Sequence, residues 1–213
     1  MQLNLAQYSF ILFLISGFFG LFFNSKKRDI REKLFLVFLF YTVFSELIGV
    51  YLYYYKLYEL IPNPINIYIY ISNLFYLLFI GSLLKSKLSI IITSIFVGVF
   101  TLFYFYDYFY LNEIYKVKSY VLGTVFVLIF STFYLVTVLK SPNIESVSNS
   151  LYFWIIIGVL LFVAPFLPYF IYINIFKDKN YYELYSIIVF SLNLIMNLCY
   201  IIGFYRSRKN YSF

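Results

Sequence analysis

The chain has 213 residues, of which 63% are hydrophobic and 12% charged, with a formal net charge of +7. Soluble domains average roughly 45–50% apolar and about 25% charged, so this composition excludes a water-soluble globule of ordinary surface. There is no histidine and a single cysteine, Cys199, which excludes intramolecular disulfides, His/Cys zinc centres, His- or Cys-held haem and any nucleophile–histidine dyad.

A membrane-spanning helix needs about 20 mostly apolar residues. Seven stretches meet that need: Leu5–Phe23, Leu34–Tyr54, Ile65–Leu84, Leu88–Tyr108, Tyr120–Leu139, Leu151–Ile175 and Tyr182–Tyr205. NSKKRDIREK separates the first two, IPNP the second and third, and KSK is a tight turn after the third. Lys85 and Lys87 would be costly inside a bilayer, which favours seven spans over six. LKSPNIESVSNS, between the fifth and sixth, is the most polar connection. The expected fold is all-α, a polytopic transmembrane bundle of seven helices forming one domain over residues 1–213.

The positive-inside rule orients it. With the amino terminus outside and the carboxy terminus cytoplasmic, Lys26, Lys27, Arg28, Arg31, Lys33, Lys85, Lys87, Lys140, Arg206, Arg208 and Lys209 lie inside. Lys56, Lys116, Lys118, Lys177 and Lys179 lie outside, each near an acidic residue. The first apolar stretch precedes its basic cluster and lacks a small-residue cleavage site, so it is expected to stay as a helix. The basic clusters are short and have anionic lipid headgroups as neighbours, with direct nucleic-acid binding not expected. A lipid bilayer is the expected environment, bacterial inner membrane the expected location, and a homo-oligomer or a cytoplasmic protein the candidate partner.

This orientation gathers most of the 26 tyrosines on the outer half, among them the run YLYYYKLYEL at Tyr51–Leu60. Tyrosine suits an interface because its ring is apolar and its hydroxyl wet. Two readings stand: an outer-leaflet belt, or a vestibule lined by rings and hydroxyls. Trp154 falls at the inner interface. Cys199 reads as a buried small apolar residue or as a palmitoylation site.

Glu46, in FSELIG, is the one charge well inside a span, roughly 18 Å past Leu34 at about 1.5 Å per residue. An intramembrane carboxyl marks a functional candidate, and structural glue between helices is the alternative. Asn73, Thr101, Asn193 and Asn197 fall at comparable depth, and Pro165 and Pro168 are expected to kink the sixth helix and interrupt it there, freeing backbone carbonyls. Together they form a candidate polar layer, able to bind an ion, relay protons or lock the bundle. Glu59, Asp107, Glu113, Asp178 and Glu183 read as solvated outer-surface carboxylates, with an acid–base pair or a cation site as the alternative. No catalytic motif, cofactor site or metal-ligand spacing is visible, though an acidic-only metal site stays open.

The stretch YTVFSELIGVYLYYYKLYELIPNPINIYIYISNLFYLLFIGSLLKSK resembles the second and third helices of small seven-helix proteins of Bacteroidota. SVSNSLYFWIIIGVLLFVAPFLPYF with NLIMNLCYIIGFYRSRK resembles their last two. The shared pattern is a carboxylate in the second helix, here Glu46, and asparagines before a Gly-aromatic exit, here Asn193, Asn197, Gly203 and Phe204. Where many relatives carry a second carboxylate in the third helix, this chain has Asn73, a departure from a paired-carboxylate site. Size and span count are also similar to multi-spanning accessory proteins encoded beside RNA-targeting type VI-B CRISPR effectors. That resemblance implies a non-enzymatic membrane role in antiviral defence, altering permeability or docking a cytoplasmic partner. The alternative is a sensor or small-solute or ion transporter working through the Glu46 layer.

Overall fold

The computed structural model describes residues 5–23, 29–84, 86–110, 116–140, 147–176 and 182–207. These form seven α-helices: α1 (Ser9–Phe22), α2 (Ile30–Tyr54), α3 (Pro62–Leu83), α4 (Lys87–Tyr110), α5 (Val117–Leu139), α6 (Leu151–Phe176) and α7 (Tyr182–Ser207). Short 3-10 turns precede α1 (Leu5–Tyr8) and α3 (Tyr58–Leu60), and no strand occurs among the described residues. Seven helical segments are long and apolar enough to cross a membrane, in agreement with the seven stretches expected.

The distribution of side chains fits a lipid solvent. Leu102, Phe109, Leu88, Val37 and Phe44 are exposed, while Ser9, Ser16, Thr42, Asn73, Thr93, Ser131 and Asn197 are buried. A water-soluble protein would bury the first set. In lipid, large aliphatic groups gain nothing by leaving the surface, and helices are held by close packing and interhelical hydrogen bonds.

Helix ends show why the segments stop where they do. Lys56 takes the left-handed conformation at φ 59°. Its amide bonds the Tyr53 carbonyl at 3.1 Å and the Leu57 amide bonds the Leu52 carbonyl at 2.9 Å, the paired bonds of a Schellman motif closing α2. Pro62 occupies the first turn of α3, where its missing amide costs nothing, so IPNP starts that helix rather than only separating two. The Ser86 hydroxyl accepts the Ser89 amide at 3.0 Å, capping α4 directly after the tight turn. α2 begins four residues before its apolar stretch, because Ile30, Glu32 and Lys33 extend it past the apolar limit.

The chain divides into two compact units, Met1–Leu47 with Leu135–Phe213, and Ile48–Tyr134. In the first, α7 packs against both α6 and α1. Small residues set these approaches: a side-chain carbon on Gly158 would stand 3.0 Å from the Met196 carbonyl, and one on Gly203 would meet Trp154 and Leu151. Gly20 faces Leu36 and Phe204, and Phe35 meets Tyr200 edge-on at 5.0 Å, bringing α2 onto α7. In the second unit α3 and α4 form a hairpin in which Gly81 abuts Thr93 and Tyr70 lies 4.6 Å from Tyr104. Phe96 packs on Phe126 at 4.7 Å, joining α4 to α5, and Gly123 of α5 backs onto Asn73 and Phe100.

One expectation is corrected. α6 remains α-helical through Pro165 and Pro168, so APFLP does not break the helix. The prolines withdraw the amides that the Leu161 and Ala164 carbonyls would otherwise accept, but neighbouring turns keep the helical path.

Candidate functional site

The expected polar layer separates into groups with different partners. Asn193 and Asn197 of α7 belong to a stripe that begins at Ser186, all on one helical face at spacings of seven and four. Ser186 Oγ accepts the Ala6 amide at 2.8 Å, Asn193 Nδ2 donates to Ser9 Oγ at 3.3 Å, and Ser16 Oγ donates to Asn197 Oδ1 at 2.7 Å. Asn197 Nδ2 donates to the Asn193 carbonyl at 2.9 Å, which fixes the amide's orientation. The asparagines therefore zip α1 to α7, the locking role. Ser9, Ser16 and Ser186 were not singled out from sequence. Their signal was the seven-residue spacing of Ser9 and Ser16, matching Ser186 and Asn193.

Asn73 lies in the second unit, buried, with Nδ2 donating to the Ile69 carbonyl at 2.9 Å one turn back. Its position against Gly123 makes it a packing residue of the α3–α5 crossing. Thr101 is half-buried in α4 of the same unit.

Glu46 is different. It sits half-buried in α2, about 12 Å before the helix ends at a rise of about 1.5 Å per residue. No hydrogen bond or ion pair reaches its carboxyl among the described residues. Its electrostatic neighbour is Tyr185, in the first turn of α7. The Tyr185 ring is close to parallel with that of Tyr169 on α6, with centroids 6.3 Å apart and planes within 18°, and Phe166 lies 6.2 Å from Tyr185. The Tyr169 hydroxyl is buried and makes no hydrogen bond. The first unit thus holds two polar groups without a hydrogen-bond partner among the described residues, the half-buried Glu46 carboxyl and the buried Tyr169 hydroxyl. Buried polar groups without partners are rare, and each calls for an occupant or a function.

No protein-family model, curated protein or solved structure matches this chain. The site is therefore read from its own chemistry.

A second polar cluster lies in the second unit and corrects the expectation of solvated loop carboxylates. Asp107 is fully buried in the last turn of α4. One carboxylate oxygen, Oδ2, accepts the Ser119 amide at 3.0 Å and the Ser119 hydroxyl. It caps α5, whose own first residues, Lys116 and Val117, have no side chain able to do so, and it places a negative charge at the positive end of that helix. Lys116 is also buried, its ammonium donating to the Asp107 carbonyl at 2.9 Å and its amide to Asn66 Oδ1 at 3.1 Å. Tyr104 donates to the Asn66 carbonyl at 3.0 Å. These contacts meet Oδ2 and the ammonium, while the other carboxylate oxygen, Oδ1, is buried without a hydrogen bond among the described residues. Glu59 is exposed as expected, whereas Glu113 and Asp178, and the side chain of Glu183, fall outside the described residues.

Tyr51, Tyr54, Tyr55 and Tyr58 are exposed around the end of α2, as a belt requires. Tyr169 and Tyr185 stack on each other, joining α6 to α7. Trp154 donates to the Ser148 carbonyl at 2.7 Å and carries Arg206 5.1 Å over its ring, while Cys199 is buried against Gly158. Among the described residues no three Cys, Asp or Glu side chains gather as a metal-ligand set.

Proposed function

We propose that this is a non-enzymatic multi-pass membrane protein that binds a small cation at Glu46 and acts as a sensor or transporter. The observation that carries the reading is the Glu46 carboxyl itself, held in a membrane-length helix without a hydrogen bond or ion pair among the described residues. A carboxyl retained at such depth is costly unless it is protonated, paired or met by a ligand. Asn193 and Asn197 with Ser9 and Ser16 lock α1 to α7, so structural glue is supplied without Glu46. Outward access fits the positive-inside orientation, which puts the end of α2 and the start of α7 on the outer side.

The test is thermal unfolding of purified protein in lipid nanodiscs across a panel of inorganic and organic cations. At least one cation is expected to raise the unfolding temperature of the wild type, and the shift should vanish in Glu46→Gln. A panel in which no cation stabilises the wild type refutes the reading. The accessory role in RNA-guided antiviral defence is a separate proposal resting on the sequence resemblance alone. Under it, the same carboxyl would carry a permeability change on triggering of the nuclease.

A further inference from the structure

We infer that the exposed face shared by α6 and α7 is an interface with a second copy of this chain, in which the Ser191 hydroxyl of each copy donates to the Ala164 carbonyl of the other. The inference is independent of Glu46 and of the proposed function. Leu161, Ala164, Pro165, Pro168 and Tyr172 are all exposed and form one stripe along α6. Pro165 and Pro168 carry no amide hydrogen, so the Leu161 and Ala164 carbonyls on this stripe lose their regular helical donors. Hydrocarbon supplies no donor in their place, and a bare carbonyl at that depth is costly until a neighbouring helix, a hydroxyl or water meets it. Ala164 has the smallest side chain of the stripe, which lets a partner helix come close to its carbonyl.

α7 presents the complementary group. Ser191 is exposed on the stripe Ile187, Ser191, Leu194 and Leu198, and its hydroxyl makes no hydrogen bond among the described residues. Other hydroxyls in the spans are met within their own helix: Thr132 donates to the Leu128 carbonyl at 2.9 Å and Ser82 to the Phe79 carbonyl at 2.7 Å. α7 turns Met196, Cys199 and Gly203 towards α6, and Ser186, Asn193 and Asn197 towards α1, so Ser191 faces neither neighbour. At about 100° per residue, both exposed stripes fall on the same side of the α6–α7 pair. The two helices run antiparallel, with Gly203 against Leu151 and Trp154 and Gly158 against Met196 and Cys199. Continued along the pair, that register sets Ser191 level with Ala164. Ala164 lies about 3 Å and Ser191 about 7 Å from the middle of their spans, at about 1.5 Å per residue, both well inside hydrocarbon. Two copies inserted in the same orientation are related by a twofold axis along the membrane normal, which keeps every residue at its own depth. Such an axis sets α6 of each copy against α7 of the other and brings each Ser191 to the level of the opposite Ala164. The chain thus carries the donor its own bare carbonyl needs, at the right depth and on the same face, which selects a second copy as the partner.

The test follows association of the full chain in liposomes, by energy transfer between donor- and acceptor-labelled copies over a series of protein-to-lipid ratios. The wild type is expected to pass from monomer to dimer. Ser191→Ala should weaken the dimer about eightfold, the loss of two interhelical hydrogen bonds of average strength. Pro168→Ala returns an amide to the Ala164 carbonyl, so it should weaken the dimer as well, and the double variant should lose no more than either single one. Cross-linking maps the contact on a Cys199→Ala background. Differently tagged chains carrying Ala164→Cys and Ser191→Cys, co-expressed and oxidised, should form a mixed disulfide, whereas Ile11→Cys, exposed on α1, should form none with either. Circular dichroism checks that each variant is helical, and if Pro168→Ala does not fold, the Ser191→Ala shift and the cross-link decide. A monomer at every ratio leaves lipid or water as the cover of this face and overturns the inference. A dimer that cross-links through Ile11→Cys and not between Ala164→Cys and Ser191→Cys overturns it too, as do losses that add in the double variant.

Discussion

Asp29 shows how one side chain at the edge of a span can be tuned by its neighbours. Burial alone would lift its carboxyl, but the Tyr152 hydroxyl, donating at 2.9 Å, and the Arg31 guanidinium at 3.0 Å together hold it below the usual carboxylate range. Asp29 also precedes α2, where the helix's positive end favours an anion. A carboxyl whose folded value is depressed stabilises the protein fully above its ordinary titration, and that contribution fades as pH falls through the folded value. The wild type should therefore unfold at a higher temperature than Asp29→Asn at neutral pH, with the difference shrinking below about pH 4. A difference that persists unchanged into strong acid would show that the tie acts through shape rather than charge. This residue was legible in the sequence only as part of a basic run, because its partner Tyr152 is far along the chain.

At the scale of the helices, close approaches and borrowed caps do the joining. The clearest case is α5, whose first turn is capped by Asp107 of α4. Asp107→Ala strands the Ser119 amide and hydroxyl and is expected to cost about 1–3 kcal/mol in a denaturant titration. Asp107→Asn, which keeps an acceptor, should cost less. Equal losses in the two variants would mean that the negative charge, beside α5's positive end and buried Lys116, outweighs the hydrogen bonds. Helix positions were readable from apolar length, as the agreement of α4 and α5 with Leu88–Tyr108 and Tyr120–Leu139 shows. Burial of Asp107 was not, because carboxylates near span ends are usually solvated and nothing in DYFYLNEIYKVKS reports that Ser119 folds back on Asp107. The prolines of α6 misled for a related reason: proline's local cost is visible in sequence, while the packing against α7 that sustains the helix is not.

For the whole molecule, the count of seven spans was legible because lipid imposes it through length and hydropathy, whatever the packing. The polar residues around Glu46 were legible in the sequence, but their partners were not. Asn193 and Asn197 were found, yet Ser9 and Ser16 were needed to reveal that they lock α1, and Tyr185 to set Glu46 apart. The orientation expected from lysine and arginine placement can be checked with membrane-impermeant maleimide on cells. On a Cys199→Ala background, Tyr58→Cys should label and Ser86→Cys should not; the reverse pattern would invert the topology. The Asp107–Lys116 pairing bears on biogenesis as well. The Asp107 carboxylate takes its hydrogen bonds from Ser119 and the Lys116 ammonium donates to the Asp107 main-chain carbonyl, so separating α4 from the start of α5 would leave both charges without these bonds. The two helices are therefore expected to leave the translocation machinery as a closed hairpin, with a stall between them holding α4 at the protein-conducting channel until its successor arrives.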